Sequence, residues 1–270
     1  MSIPLFPVRH KQKQFSELIA TATKPYAYWS FATSASETIS TPSTSIGSKT
    51  SSGTPDFATT AGRITLDNST YYTFDDSTTA NTGLAALLNL GAGAILVAAT
   101  VNINASETGQ SCILSVHTGA GPNWRLGVTK NTTWRHDINL AMDAETSVTQ
   151  YAGSSNEFAS GTDVNLVWLI DNRSGVWTLY RWNNGTSLTG ATWSGNANRG
   201  PCTFASAVTK RVRIGSDSAG TPGSLFWGSL RRLHVVNYGT GGPPSRINDI
   251  VASLHANNNR PTRLLLESIQ

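Results

Sequence analysis

Apolar and polar positions follow one another in this chain mostly at the spacing of strands. Residues 164–170 are apolar almost without a break, the pattern of a strand covered on both faces. Residues 176–182 are rich in β-branched and aromatic side chains, which suit a pleated surface. The connection Asp171-Asn172-Arg173-Ser174-Gly175 fits a hairpin, and Asn183-Asn184-Gly185 closes the unit with a strong turn signal. Upstream, residues 26–31 alternate strictly enough for a first strand, whereas residues 33–61 are Ser-, Thr-, Pro- and Gly-rich and read as a loop. Short strands are predicted at 62–66 and 71–74, a core strand at 94–104, and a meander at 112–117, 124–129 and 134–140. The closing strands fall at 211–215 and 225–236, with Gly228 suited to a close passage of backbones.

Two segments keep helical spacing. Ile247, Ile250, Val251 and Leu254 repeat at i, i+3, i+4, i+7 and predict an amphipathic helix over 246–255 with Ser245 as its cap. Residues 14–23 suit a short helix, bracketed by Pro4, Pro7 and Pro25.

Several of these segments resemble the laminin-G-like/concanavalin-like sandwich family. Its central hairpin ends in a form similar to Leu179-Tyr180-Arg181-Trp182-Asn183-Asn184-Gly185, here one residue longer than usual. Trp29-Ser30-Phe31 resembles its first strand, Val212-Arg213-Ile214-Gly215-Ser216 and Phe226-Trp227-Gly228-Ser229-Leu230 its closing strands, and the 246–255 segment its last helix. The motifs stand in the family's order over residues 26–257. The resemblance implies an all-β jelly-roll β-sandwich with a short C-terminal helix, and a fold that hosts lectins, adhesins, polysaccharide enzymes and phage structural proteins. The expected organisation is an N-terminal docking arm at 1–25, the sandwich at 26–257 and a C-terminal arm at 258–270.

Charge refines this picture. Charged residues are 13% of the chain, about half the usual ~25%. The net charge is +4, yet residues 1–25 and 230–270 each carry +3 and the middle carries −2. A slightly acidic domain with basic ends argues against nucleic-acid binding, which calls for a basic face on the domain itself. No run approaches the ~18 apolar residues of a membrane span. Met1 is followed by no apolar signal core. An extracellular type of sandwich without an export signal fits a virion protein, made in a host cytoplasm and released by lysis.

That reasoning gives the expected function. The chain is read as a non-enzymatic structural protein of a bacteriophage-like particle, a head decoration, fibre or tail component. Its arms would dock on other virion proteins through Phe6, Arg9, Lys11, Lys13, Phe15, Leu18 and Ile19 at one end. Arg263, Leu264, Leu265 and Leu266 would do so at the other. A homo-oligomer is expected, with a trimer favoured. The alternative is a carbohydrate-binding adhesin or lectin module for host surface glycans. Its candidate residue is Trp193, in a polar loop where an aromatic face is hard to bury, ahead of Trp124, Trp134 and Trp182.

Catalytic motifs are poorly represented. Glycosidases need two carboxylates flanking the scissile bond, and the nearest match, Asp143-Ala144-Glu145, lacks the first Glu of the pattern used by the family's laminarinase-like members. The five His show no metal-ligand spacing. No cofactor is expected, although the resemblance leaves calcium open at Asp163, Asp171 and Asp217. Cys112 and Cys202 are read as two buried thiols, with a bridge as the alternative.

Overall fold

The computed structural model describes residues 17–31, 38–41, 48–52, 63–67, 71–75, 87–88, 91, 93–117, 122–130, 134–140, 149–152, 157–188, 192–194, 211–216 and 225–270. In chain order the strands begin with β1 (Tyr26–Trp29), β2 (Thr38–Thr41), β3 (Ser48–Ser52), β4 (Ile64–Asp67) and β5 (Tyr71–Asp75). They continue with β6 (Ala94–Ile103), β7 (Gln110–His117), β8 (Pro122–Lys130), β9 (Trp134–Leu140) and β10 (Thr149–Ala152). The last are β11 (Val164–Asp171), β12 (Thr178–Asn183), β13 (Thr186–Leu188), β14 (Thr192–Ser194), β15 (Arg211–Ile214) and β16 (Trp227–Gly239). Helices α1 (Ile247–Ala256) and α2 (Arg263–Glu267) follow.

These strands form two antiparallel sheets of eight. The first runs β13-β12-β11-β6-β16-β1-β2, with β4 also paired to β16; the second runs β14-β10-β9-β8-β7-β15-β5-β3. Alternation along each strand builds the core between them. Ile95, Val97, Ala99 and Val101 of β6 and Leu166, Trp168 and Ile170 of β11 meet Leu114, Val116, Leu126, Val128, Val212 and Ile214 of the second sheet.

The unbroken apolar runs are explained by a third layer. The alternate residues Ala94, Leu96 and Ala98 of β6 and Val167 and Leu169 of β11 point outward. They are covered by Ile250, Val251 and Leu254 of α1, Leu265 and Leu266 of α2, and Ile269. Leu18, Ile19 and Ala22 pack against the same cluster. Residues 258–270, expected to project as a second arm, therefore fold back on the first sheet. Asn258 and Asn259 take left-handed φ values of 50° and 53° to turn the chain, and the Thr262 hydroxyl caps α2 by accepting from the Leu265 amide. The two ends of the described chain also bond each other: the amides of Thr23 and Lys24 donate to the Ile269 carbonyl, and the Gln270 amide group donates to the Leu18 carbonyl.

Four local expectations are corrected. Residues 33–61 include β2 and β3, both edge strands, where ladder pairing on one side suffices without an apolar pattern. Strand β12 begins at Thr178 because Trp177 drops into the core between the sheets. The first strand ends at Trp29, and Phe31 turns into the core at a φ of 52°. Helix α1 is preceded by Arg246, with no side-chain cap from Ser245. The close passage at Gly228 is real: φ is 149° and a Cβ would strike the Asn102 carbonyl oxygen.

Candidate functional site

The two sheets present different outer faces. The first is roofed by the helical layer, while the outward positions described at the centre of the second are polar. Val212 and Ile214 point inward from β15, which leaves Arg213 outward; Leu126 and Val128 do the same to Arg125 in β8, and Leu114 and Val116 to Ser115 in β7. Strand register places these residues in one transverse row. It runs Thr50–Thr73–Arg213–Ser115–Arg125–Asn139–Gln150–Ser194, one residue from each of the eight strands.

The centre of this row is buried. Arg213 is 5% exposed, Arg125 6% and Ser115 0%, so both guanidinium groups are largely removed from water. The Arg213 guanidinium lies 4.7 Å from the centre of the Tyr71 ring, a cation–π contact that keeps its plane fixed. Ser115 Oγ donates to the Ser216 carbonyl at 2.7 Å, and the Cys112 thiol faces the same oxygen at 3.3 Å. Gly127 lets the backbone of Ser111 approach closely, since a Cβ would strike its carbonyl oxygen. The two arginines are separated by β7 alone, roughly 10 Å from each other at two strand spacings. Both guanidinium groups also hold interactions within the chain, and together they concentrate positive charge at the centre of this sheet.

The sequence-derived candidates fall elsewhere. Trp193 lies in edge strand β14, not in a loop, with its backbone in register with Tyr151; its side chain lies outside the described residues, as do those of Trp124 and Trp134. Trp182 is 3% exposed, packs in the outer cluster of the first sheet and donates from Nε1 to Asn248 Oδ1 at 3.1 Å. Phe6, Arg9, Lys11, Lys13, Phe15, Asp143, Glu145, Cys202 and Asp217 lie outside the described residues. Cys112 is buried, with its sulfur 3.3 Å from the Ser216 carbonyl oxygen.

The C-terminal arm candidates lie in the outer layer of the first sheet. Leu265 and Leu266 are fully buried within this chain, and Leu264, partly buried, packs against the same cluster. Arg263 is bound to Glu267 one helical turn on. Leu18 and Ile19 join them on the same face. The calcium candidates Asp163 and Asp171 are both engaged by arginines, the former by Arg63 and Arg231 and the latter by Arg173. Arg213, Ser115 and Arg125 were missed because each was read as part of a strand and not as one face of it. The signal was there in Val212-Arg213-Ile214 and Trp124-Arg125-Leu126, an Arg between apolar neighbours that must face away from them.

Comparison with known proteins adds a class. No family model matches the chain, and no curated protein does. Solved structures do. The binding domain of botulinum neurotoxin DC, in complex with SialylT, aligns at a TM-score of 0.53 and 10% identity over 87% of this chain and 52% of its own. Trypanosoma rangeli sialidase in complex with sialic acid aligns at 0.54 and 14% identity over 93% of this chain and 38% of its own. The chain thus spans about half of the one and under half of the other. The CBM40 of Ruminococcus gnavus IT-sialidase, bound to alpha2,3 sialyllactose, shows a weaker likeness at 0.43 and 16% identity, over 64% of this chain and 88% of its own. The first two likenesses establish the fold, a concanavalin-like jelly-roll β-sandwich.

Proposed function

We propose that this chain is a non-catalytic carbohydrate-recognition module that takes anionic glycans on the outer face of its second sheet. The observation that carries this reading is the register that sets Arg213, Ser115 and Arg125 side by side in three adjacent strands. Under the helices, by contrast, the outer face of the first sheet is apolar. Fixed guanidinium forks beside hydroxyl and aromatic groups offer an acidic sugar both charge and hydrogen-bonding direction. Two solved proteins of the same fold hold sialylated or sialic acid ligands, which supports this class of partner. A catalytic reading gains no support from Asp163, Asp171 or Glu157, whose carboxylates are all tied to arginines.

The virion-subunit reading is narrowed by the fold. Leu18, Ile19 and Leu264 to Leu266 are used within the chain, so docking on a particle would fall to residues 1–16 and their Phe6, Arg9, Lys11, Lys13 and Phe15. The decisive experiment is a glycan array that includes neutral, sialylated and uronic acid-bearing members. Binding confined to acidic glycans, and lost in Arg213→Gln and Arg125→Gln proteins that melt normally, is the expected result. An array with no acidic binder, or binding indifferent to both arginines, overturns the proposal.

A further inference from the structure

A second cationic cluster sits on the opposite side of the molecule, on the part of the first sheet that the helical layer leaves uncovered. Inward-pointing Ile64, Val101, Ile103, Val164 and Leu230 oblige their neighbours Arg63, Asn102, Asp163, Ser229 and Arg231 to face outward. Asp163 Oδ2 is shared by two guanidinium groups, Arg63 Nη2 at 3.4 Å and Arg231 Nη1 at 3.3 Å. Asn102 Nδ2 donates to Asp163 Oδ1 at 3.1 Å, and Arg63 Nη1 donates to Ser229 Oγ at 3.3 Å. One carboxylate thus faces two arginines.

Further positive charge lies alongside. The ladder slips between Arg231 and His234, and Arg232 takes a φ of 54° in that bulge. Bulges re-aim side chains, and here Arg232 Nη1 reaches the Asn258 carbonyl at 2.7 Å. Burial pulls the Arg231 guanidinium below its usual range, and Arg63 adds to this while Asp163 opposes it. Arg232 is lowered by burial in the same way; Tyr28 opposes this, and Arg231 and Arg260 reinforce it.

The donors are also incompletely used. Arg63 Nε and Arg231 Nε are both buried N–H groups without a hydrogen-bond partner, although each side chain as a whole stays 21% exposed. The guanidinium groups are thus not saturated by bonds within the fold, and their exposed parts keep positive charge at the surface.

We propose that Arg63, Arg231 and Asn102 form a receptor for a single oxyanion group, of the carboxylate or sulfate type, seated beside Asp163. The forked guanidinium geometry fits both anions, and the surplus charge supplies the attraction. The site is on the other face from the glycan row and does not depend on it. In this view Asp163 plays two parts: it anchors both arginines, and it lowers their attraction for the external anion.

The full chain, labelled with ¹⁵N, is titrated at constant ionic strength with sodium sulfate, sodium phosphate or sodium acetate against a chloride reference, following the arginine Nε–H resonances. Saturable shifts of the Arg63 and Arg231 signals are expected, and which salt produces them separates sulfate-type from carboxylate-type ligands. Arg231→Gln and Arg63→Gln each abolish saturation; Arg63 precedes β4, so its variant keeps the ladder intact. Asp163→Asn tightens binding about fivefold, the worth of one half-exposed charge. Shifts that never saturate with any salt, saturation that survives both Arg→Gln changes, or weaker binding in Asp163→Asn overturn the proposal.

Discussion

The Tyr26 hydroxyl donates to His234 Nδ1 across 3.0 Å, in a polar seam between the first sheet and the C-terminal layer. His234 Nε2 lies 2.6 Å from the Asn259 carbonyl. A carbonyl can only accept, so the proton of the neutral ring sits on Nε2 and Nδ1 is left as the acceptor. The seam continues through Asn259 Nδ2 to Thr100 Oγ1 at 3.2 Å, Thr100 to Asn165 Oδ1 at 2.6 Å, and Asn165 to His255 Nδ1 at 3.0 Å. Polar bonds thus fix where the apolar layer sits, which apolar burial alone does not specify.

This seam makes the fold acid-sensitive. Burial pulls the His234 imidazole down to about 4, with Arg232 acting in the same direction and the bond to Asn259 opposing them. In the unfolded chain it titrates near ~6.5. The unfolded chain therefore binds a proton over a range where the folded chain refuses it. Stability from this group is complete above the unfolded value and is lost as pH falls from about 6.5 towards 4, by about 3 kcal/mol in all. Urea unfolding at pH 7, 5.5 and 4.5 measures the slope. A flat profile, or one unchanged in His234→Gln, contradicts the assignment. Asp171 titrates below this window: burial raises it, but the side-chain and backbone bonds from Arg173 outweigh that and hold it low.

A buried ion pair supports the central hairpin. Arg181 of β12 pairs with Glu157, with side chains 1% and 2% exposed. Removing one partner strands a charge away from water, so Glu157→Gln is expected to cost about 3–5 kcal/mol by chemical denaturation. The double change Glu157→Leu with Arg181→Met should cost far less than the single. Equal losses in the two proteins would show that the pair's charge is not what matters.

Strand existence was legible wherever both faces of a strand are buried or cleanly alternate. The run over 164–170 became β11 because its outward residues Val167 and Leu169 meet the helical layer. The Asn184-Gly185 turn is a two-residue hairpin between Asn183 and Thr186, with φ of 47° and 80°, as that dipeptide favours. Strands β2 and β3 were not legible, because an edge strand needs only ladder bonds and Ser-Thr sequence has no period to read. The row through Arg213, Ser115 and Arg125 was hidden for another reason. It is assembled by long-range register between β15, β7 and β8, and nothing local reports register. Helix α2 spans Arg263–Glu267, too short to display a helical period, and its three leucines read as docking residues of an arm.

Gly228 gives a backbone prediction. Its φ of 149° is unfavourable for any L side chain, and a Cβ would meet the Asn102 carbonyl across the β16–β6 ladder. Gly228→Ala should destabilise by at least about 1–3 kcal/mol and should loosen the pairing of Gly228 with Ile103. Thermal melting gives the first quantity, and amide exchange at Asn104, whose N–H donates to the Trp227 carbonyl, gives the second. Wild-type values for both would mean the strands can separate locally without loss.

The sharpest difference between an arm and a layer is what its removal does to the rest. Leu265, Leu266 and Ile269 are fully buried against Leu96, Ala98, Val236 and Tyr238. Leu266→Ala should cost about 2–5 kcal/mol of unfolding free energy, as a buried leucine truncation does. Deleting residues 260–270 would bare the outward apolar residues of β6, β11 and β16 together, and would also remove the Ile269 carbonyl that holds Thr23 and Lys24. The expected product is aggregated or dye-binding protein, with the transition of the whole sandwich lowered and not split. A truncated chain that stays monomeric and melts like the full one would return these leucines to the role of a detachable arm.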